Sequence, residues 1–537
     1  MWGKTMKRIF LLVCAMSVML LAENTKRIVL PPYEPFSGVS RAVSDFFDNS
    51  SNKEERLHVE IAYTDVNEDP SDEVVWVHRP QKGEKRFWLN GLEIDEYSYG
   101  EYLRNRPKKK YQVPGFDSVM NYEEIQKFLL LGEHVFIDVY RPMKNSSSPT
   151  YDSLLNVSKI TTNAFSHYYN GNGVGVYFDE TGCPNLADLD LSHYSQGYGV
   201  CPHGTRPHPT GVALVLQKTA PQAYIYGYDE FGYPNPDTVS PVIDIGSHSW
   251  GVGESGVYGC PEFEMDKYIY DTRVTNFVAA GNYEGNGQTY NVSSPGIAIN
   301  AITVGAVNPR NNAYDSYSRW INSNVGNQKP ELANYAEFYF PNATGLSPYN
   351  GDFNGTSAST PYTAAMAADL MSQDTIIKRH PEVVKAYMLV QSGRTIYGGY
   401  NYDQDNNTEA ALEIPYYNDF PDVSVYSSWN GDNDCCFAGD GSIEVTETGI
   451  LAGHRYKIAI AWLVPPGYVL QNGFLPQDID IDVFQGNSLI AYSSSGTDPF
   501  EMVDFTTQSS QDLRIVITRF SNSGYGKVAL GYAMWHN

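Results

Sequence analysis

One stretch narrows the possible folds more than any other: Asn354-Gly-Thr-Ser-Ala-Ser-Thr-Pro361, running into Tyr362-Thr-Ala-Ala-Met-Ala-Ala368. A glycine-containing loop leads directly into a helix of small residues, and such a helix has to be buried against closely approaching neighbours. Ser357 stands where loop becomes helix. Its hydroxyl projects from the helix end, and its N–H lies at the positive pole, where negative charge developing on a carbonyl oxygen is stabilised. A Gly-Thr-Ser tripeptide alone would indicate only a helix N-cap.

The rest of the chain is large enough to house that helix. Its 537 residues allow two to four domains. With 37 Lys plus Arg against 62 Asp plus Glu, the net charge is −25, which opposes binding to nucleic acid or anionic lipid. Lys4, Lys7 and Arg8 precede the apolar run Ile9 to Ala22, too short to span a bilayer. That pattern predicts a secretory signal peptide over residues 1–22, an exported product and no stable membrane insertion once the signal is removed. Five cysteines follow it. Export permits disulfides, and Cys183 with Cys201 would close a short loop; adjacent Cys435 and Cys436 form a strained bridge or stay unpaired.

Residues 23–147 read as a small α+β region, with strand-like Leu57 to Tyr63, Val74 to His78 and His134 to Tyr140 and a helix near Tyr122 to Leu131. The Ser-rich break Lys144 to Thr150 suits an exposed linker or cleavage point. Over 148–400 short apolar strands alternate with helical patterns. Strand candidates are Val174 to Phe178, Ala223 to Tyr226, Pro241 to Ile245, Thr275 to Ala280 and Ala301 to Val307; helix candidates are Val212 to Gln217 and Ala364 to Met371. This order predicts an α/β fold, a parallel sheet flanked by helices. After a linker over 401–424, residues 425–537 show alternating strands and no helical pattern, which predicts an antiparallel, jelly-roll-like β-sandwich.

The longer pattern around Ser357, GTSxxxP into an Ala-rich helix, resembles the nucleophile segment of the subtilisin-like serine proteases. Phe277-Val-Ala-Ala-Gly-Asn282 resembles that family's oxyanion segment, which assigns Asn282 as the second oxyanion donor and places Ala279, Ala280 and Gly281 along the pocket for the side chain before the scissile bond. Ser249-Trp250-Gly251 matches the edge strand that holds an extended substrate by main-chain hydrogen bonds. Two histidines compete for the base. His203-Gly-Thr205 has the familiar tripeptide, but Pro207 and Pro209 interrupt the helix that should follow; His208-Pro-Thr-Gly-Val-Ala213 fits that helix, with Pro209 tolerated in its first turn. The orienting acid departs from the family pattern. Gly173-Val-Gly-Val-Tyr-Phe-Asp-Glu-Thr-Gly182 puts Glu180 in the acid position by register and strand parity, while residue type favours Asp179.

The resemblance thus implies a serine endopeptidase acting on polypeptides, made as a zymogen whose residues 23–147 inhibit it until self-cleavage, and requiring no organic cofactor. Asp478, Asp480 and Asp482 share one strand face and offer oxygen ligands to a structural calcium; a solvated face is the alternative. The rival functions are an inactive scaffold of the same fold and a surface-binding protein acting through the terminal sandwich, for which Trp429 and Trp462 are candidate aromatic contacts.

Overall fold

The computed structural model describes most of residues 170–395 and 423–536, together with strand and helix pieces between Gly38 and Asn145 and the short strand Glu409–Ala410. The expected signal segment and the Cys435–Cys436 pair lie outside the described residues. The chain divides into two compact units, residues 1–142 and 143–537.

In the first unit, strands Gly38–Val39, Val135–Val139, Leu57–Tyr63 and Gly115–Met120 pair in that order, and the helix Tyr122–Leu131 follows directly on the last of them. Asn121 caps it: its side-chain oxygen accepts from Glu124 N while Glu124 accepts from Asn121 N. Val59, Ile125 and Ile137 are fully buried.

The second unit is built on seven parallel strands, β1 (Gly175–Asp179), β2 (Tyr194–Gln196), β3 (Tyr224–Tyr228), β4 (Ile243–His248), β5 (Thr275–Ala279), β6 (Ile302–Asn308) and β7 (Leu332–Tyr335). Their spatial order is β2-β3-β1-β4-β5-β6-β7, and every adjacent pair is parallel. Burial on both faces explains the near-continuous apolar runs by which the sequence announces these strands. Among the described residues four helices accompany the sheet: α1 (Pro207–Thr219), α2 (Cys260–Thr272), α3 (Thr356–Gln373) and α4 (Pro381–Gln391). The small residues of α3 do what their size predicts. Ala358, Ala364, Ala365, Ala367 and Ala368 are buried in the main core, as are Val212 to Leu216 of α1.

From Val423 onward the chain forms two four-stranded antiparallel sheets. One runs Val423–Gly431, Val528–His536, Arg455–Trp462, Phe500–Thr506; the other runs Ser442–Glu447, Leu513–Asn522, Gln477–Gln485, Ser488–Ser493. Strand Gln477–Gln485 alternates buried and half-buried positions along its length, with Asp478, Asp480 and Asp482 on the half-buried side. The expectation of a helix-free terminus is corrected by Pro466–Asn472, a short helix entered through prolines and ended by left-handed Gly473. These sheets dock tightly on the parallel-sheet region. Lys457 Nζ donates to Leu389 O at the end of α4, and a Cβ on Gly531 would stand 2.5 Å from the backbone of Glu382.

Candidate active site

The sequence order of Gly355, Thr356, Ser357 and Pro361 sets up the nucleophile turn. Gly355 takes φ +87°, a left-handed conformation that favours glycine, and α3 begins at the next residue. Pro361 lies inside α3 and has no N–H, so the carbonyl of Ser357, four residues earlier, has no helical donor. Ser249 Oγ supplies one instead, at 2.9 Å. In return Ser357 Oγ donates to Ser249 O at 3.0 Å. The serine is thereby laced to the first residue of the segment Ser249-Trp250-Gly251.

Asn282 is equally determined. It follows β5 through Gly281, whose φ is +92° and whose missing Cβ would lie 2.1 Å from Ser293 Oγ. Thr356 donates to Asn282 Oδ1 through both its backbone N and its hydroxyl, each at 3.0 Å. With Oδ1 so engaged, the carboxamide's donor end is Nδ2. Gly281 N in turn donates to Thr356 Oγ1 at 3.2 Å. The oxyanion segment and the start of α3 therefore form one hydrogen-bonded unit. Ala279 and Ala280 are fully buried behind it.

α1 starts where the two prolines allow, with Arg206 as N-cap and Pro207 and Pro209 in the first turn. His208 Nδ1 lies 2.8 Å from Glu180 Oε2. Its ring packs edge-on to Phe353, centroids 5.5 Å apart, and Phe353 belongs to the strand Asp352–Asn354 that delivers the nucleophile loop. His208 Nε2 is buried and has no hydrogen-bond partner. The hydroxyl of Ser357 donates to Ser249 O, and no hydrogen bond joins it to the His208 ring. Burial raises the Glu180 carboxyl above its ordinary value, opposed by its hydrogen bond and charge interaction with His208.

The two carboxylates diverge as strand parity requires. Glu180 joins His208 on one side of the end of β1, and Asp179 turns to the other. There Asp179 accepts from the Trp250 indole N–H at 2.9 Å and from Gly232 N at 2.8 Å, and lies 2.7 Å from His248 Nδ1. His203 stands apart from both. It is pinned to Asp229, which accepts from His203 N at 2.7 Å and meets its Nδ1 at 2.9 Å. A disulfide joins Cys183 and Cys201 across the same loop. His248 and Phe353 carried no signal in the sequence, and Thr356 stood inside the Gly-Thr-Ser motif without a role of its own.

Trp250 and Gly251 pair antiparallel with another piece of the chain, opposite Asn145 and Lys144 respectively. Among the described residues the ligand atoms of three His, Cys, Asp or Glu converge only at Cys183, Cys201 and Asp229, where the two sulfurs are bonded to each other. The Asp478, Asp480 and Asp482 carboxylates do not converge; burial and the two neighbouring charges push Asp480 up to about 6.

Residues 230–412 match the model of the Subtilase family, Peptidase S8. The matched span holds Ser249 to Gly251, Asn282 and Ser357 and begins after Glu180 and His208. No curated protein matches the chain. Solved structures similar to it include a serine protease of Aeromonas sobria, at 14% identity and a TM-score of 0.36 over 68% of this chain and 89% of that one. A cold adapted subtilisin-like serine proteinase aligns at 16% identity and 0.36, over 50% of this chain and 100% of that one. A psychrophilic protease, S41, aligns at 18% and 0.36, over 50% and 99%.

Proposed function

We propose that this chain, which carries a subtilase-family domain, is a secreted serine endopeptidase that cleaves peptide bonds through an acyl-enzyme on Ser357. The observation that carries the proposal is the buried His208–Glu180 pair, with one ring nitrogen 2.8 Å from the carboxylate and the other buried without a partner. That is the state of an imidazole able to accept a proton at Nε2.

The reaction runs as follows. Ser357 Oγ turns from Ser249 O to His208 Nε2, gives up its proton there and attacks the scissile carbonyl carbon. The carbonyl oxygen takes the negative charge and is held by Asn282 Nδ2 and Ser357 N–H. Glu180 keeps the His208 proton on Nδ1 and stabilises the imidazolium. As the C–N bond breaks, His208 returns the proton from Nε2 to the leaving amine. Water then repeats the sequence on the ester, with His208 again the base. Only this chain's side chains and backbone take part, and no step calls for an organic cofactor.

Residues 23–147 act in this scheme as an inhibitory propeptide. The pairing of Lys144 and Asn145 with the edge Trp250–Gly251 supports that role, since it is the antiparallel pairing an extended substrate would make there. Export follows from the signal-like first 22 residues; no helix among the described residues is long and apolar enough to cross a membrane. The test compares wild type with Ser357→Ala for labelling by a serine-directed phosphonate and for chain shortening near residues 144–150. Labelling and shortening in wild type alone are expected. Equal behaviour of the two would end the proposal.

A further inference from the structure

The peptidase scheme leaves unused a second buried His–carboxylate pair beside Glu180. Asp179 and His248 are both completely buried. His248 Nε2 lies 2.8 Å from Asn276 Oδ1 and 3.0 Å from Tyr177 OH, and that hydroxyl donates to the same Asn276 oxygen. Nδ1 lies 2.7 Å from Asp179 without forming an aligned hydrogen bond. Both nitrogens are thus walled by buried side-chain oxygens, which leaves neither open to a substrate or a nucleophile.

What Asp179 holds is more informative than the pair itself. Its Oδ1 accepts from Trp250 Nε1 and faces His248, the two residues that flank Ser249, and its Oδ2 accepts from Gly232 N. Ser249 is the residue laced to Ser357, and Trp250–Gly251 is the edge on which the chain's own Lys144–Asn145 is paired. The Trp250 ring also packs on Phe231, centroids 4.8 Å apart, beside Gly232. Asp179 is covalently next to Glu180. One strand end therefore fixes the orienting acid with one residue and the substrate edge with the preceding one.

The structure assigns to Asp179 the part of a positioning residue: through the Trp250 indole and His248 it sets the substrate-pairing edge at a fixed distance from Glu180 and His208. It governs how an extended peptide is held, and it does not touch the reacting atoms. The assignment rests on the peptidase reading above.

The experiment measures Asp179→Asn, Trp250→Phe and the double variant in the full chain, with a tetrapeptide substrate spanning the residues before the scissile bond and with a small activated ester. Asp179→Asn keeps an acceptor oxygen and nearly the same volume; Trp250→Phe keeps an aromatic ring and removes the indole donor. Each is expected to raise KM for the tetrapeptide about tenfold, a larger effect than either has on the small ester. The double variant should lose less than the sum of the two, since both act on the Asp179–Trp250 contact. Asp179→Asn that lowers kcat on the ester as far as Glu180→Gln does would make Asp179 a catalytic residue and overturn the assignment. A lowered Tm with unchanged KM, or additive losses in the double variant, would reduce it to a stability role and overturn it as well. Failure of the peptidase reading shows separately, as a wild type that the phosphonate does not label. In that event the readout is binding of a synthetic peptide with the sequence of residues 141–146: a Kd about tenfold weaker in Asp179→Asn supports the assignment, and equal or absent binding overturns it.

Discussion

His208 and His248 sit on opposite sides of one strand end, each beside one of two consecutive carboxylates, and they are suited to different tasks. His208 has a single acidic partner and a second nitrogen buried without one. His248 faces acceptors at both nitrogens and is sealed by Tyr177, Trp250 and Asn276. A buried imidazole is chemically useful only when one of its nitrogens is left for the reaction, so the same residue pair gives a base on one side and a brace on the other.

The largest effect that could break this comparison is on turnover. His208→Ala should lower kcat/KM on a peptide substrate by more than about 10⁴-fold. His248→Ala should do its damage in stability, losing on the order of 1 to 3 kcal/mol because Tyr177 and Asn276 lose a buried hydrogen-bond partner and Asp179 a buried neighbour; thermal or denaturant melts measure it. A fully active His208→Ala together with an inactive His248→Ala would reverse the roles. Glu180→Gln comes next, with a loss of about 10³-fold in kcat as the tautomer of His208 is released. The same variant carries a pH signature. Burial holds the Glu180 carboxyl above its ordinary value, so just above the ordinary carboxyl range the folded chain keeps a proton there that the unfolded chain has already lost. Stability linked to Glu180 is complete below the ordinary carboxyl range and falls as pH rises through the folded value. The stability of Glu180→Gln relative to wild type should therefore improve from about pH 4 to pH 7, read from Tm at each pH.

Asn282→Ala should reduce kcat by about 10²- to 10³-fold with KM nearly unchanged, the size known for one such donor in a subtilisin. The smallest effect belongs to the third histidine. His203→Ala should leave kcat/KM within about twofold of wild type, since the His203 side chain is half exposed and held by Asp229 away from the Glu180 pair.

The fold was legible where burial leaves a simple mark. β1 and β3 to β6 announce themselves as short apolar runs, and the Ala-rich α3 as a helix with no room for larger residues. Helix α2, Cys-Pro-Glu-Phe-Glu-Met-Asp-Lys-Tyr-Ile-Tyr-Asp-Thr, was not legible, because it buries polar residues such as Glu262 and Asp266 alongside its apolar ones and so breaks the expected periodicity. Asp266 accepts from the backbone N–H groups of Ile299 and Asn300, a purpose no local pattern reveals. At the site, strand parity was enough to place Glu180 and Asp179 on opposite sides of the chain, and proline chemistry was enough to place His208 inside α1. What each acid meets was beyond the sequence, because the partners come from separate segments, α1 for Glu180 and β4 with Trp250 for Asp179. The grip of Ser249 on Ser357 was hidden for the same reason, although Pro361 marked the carbonyl that needed it.

The most direct test of the central claim is to map the phosphonate adduct by peptide mass analysis and follow its rate of formation. A single adduct on Ser357 is expected, formed at least about a hundredfold more slowly in His208→Ala and at the wild-type rate in His203→Ala. An adduct on a different serine, or formation as fast without His208 as with it, would mean that Ser357 is not the nucleophile or that His208 is not its base.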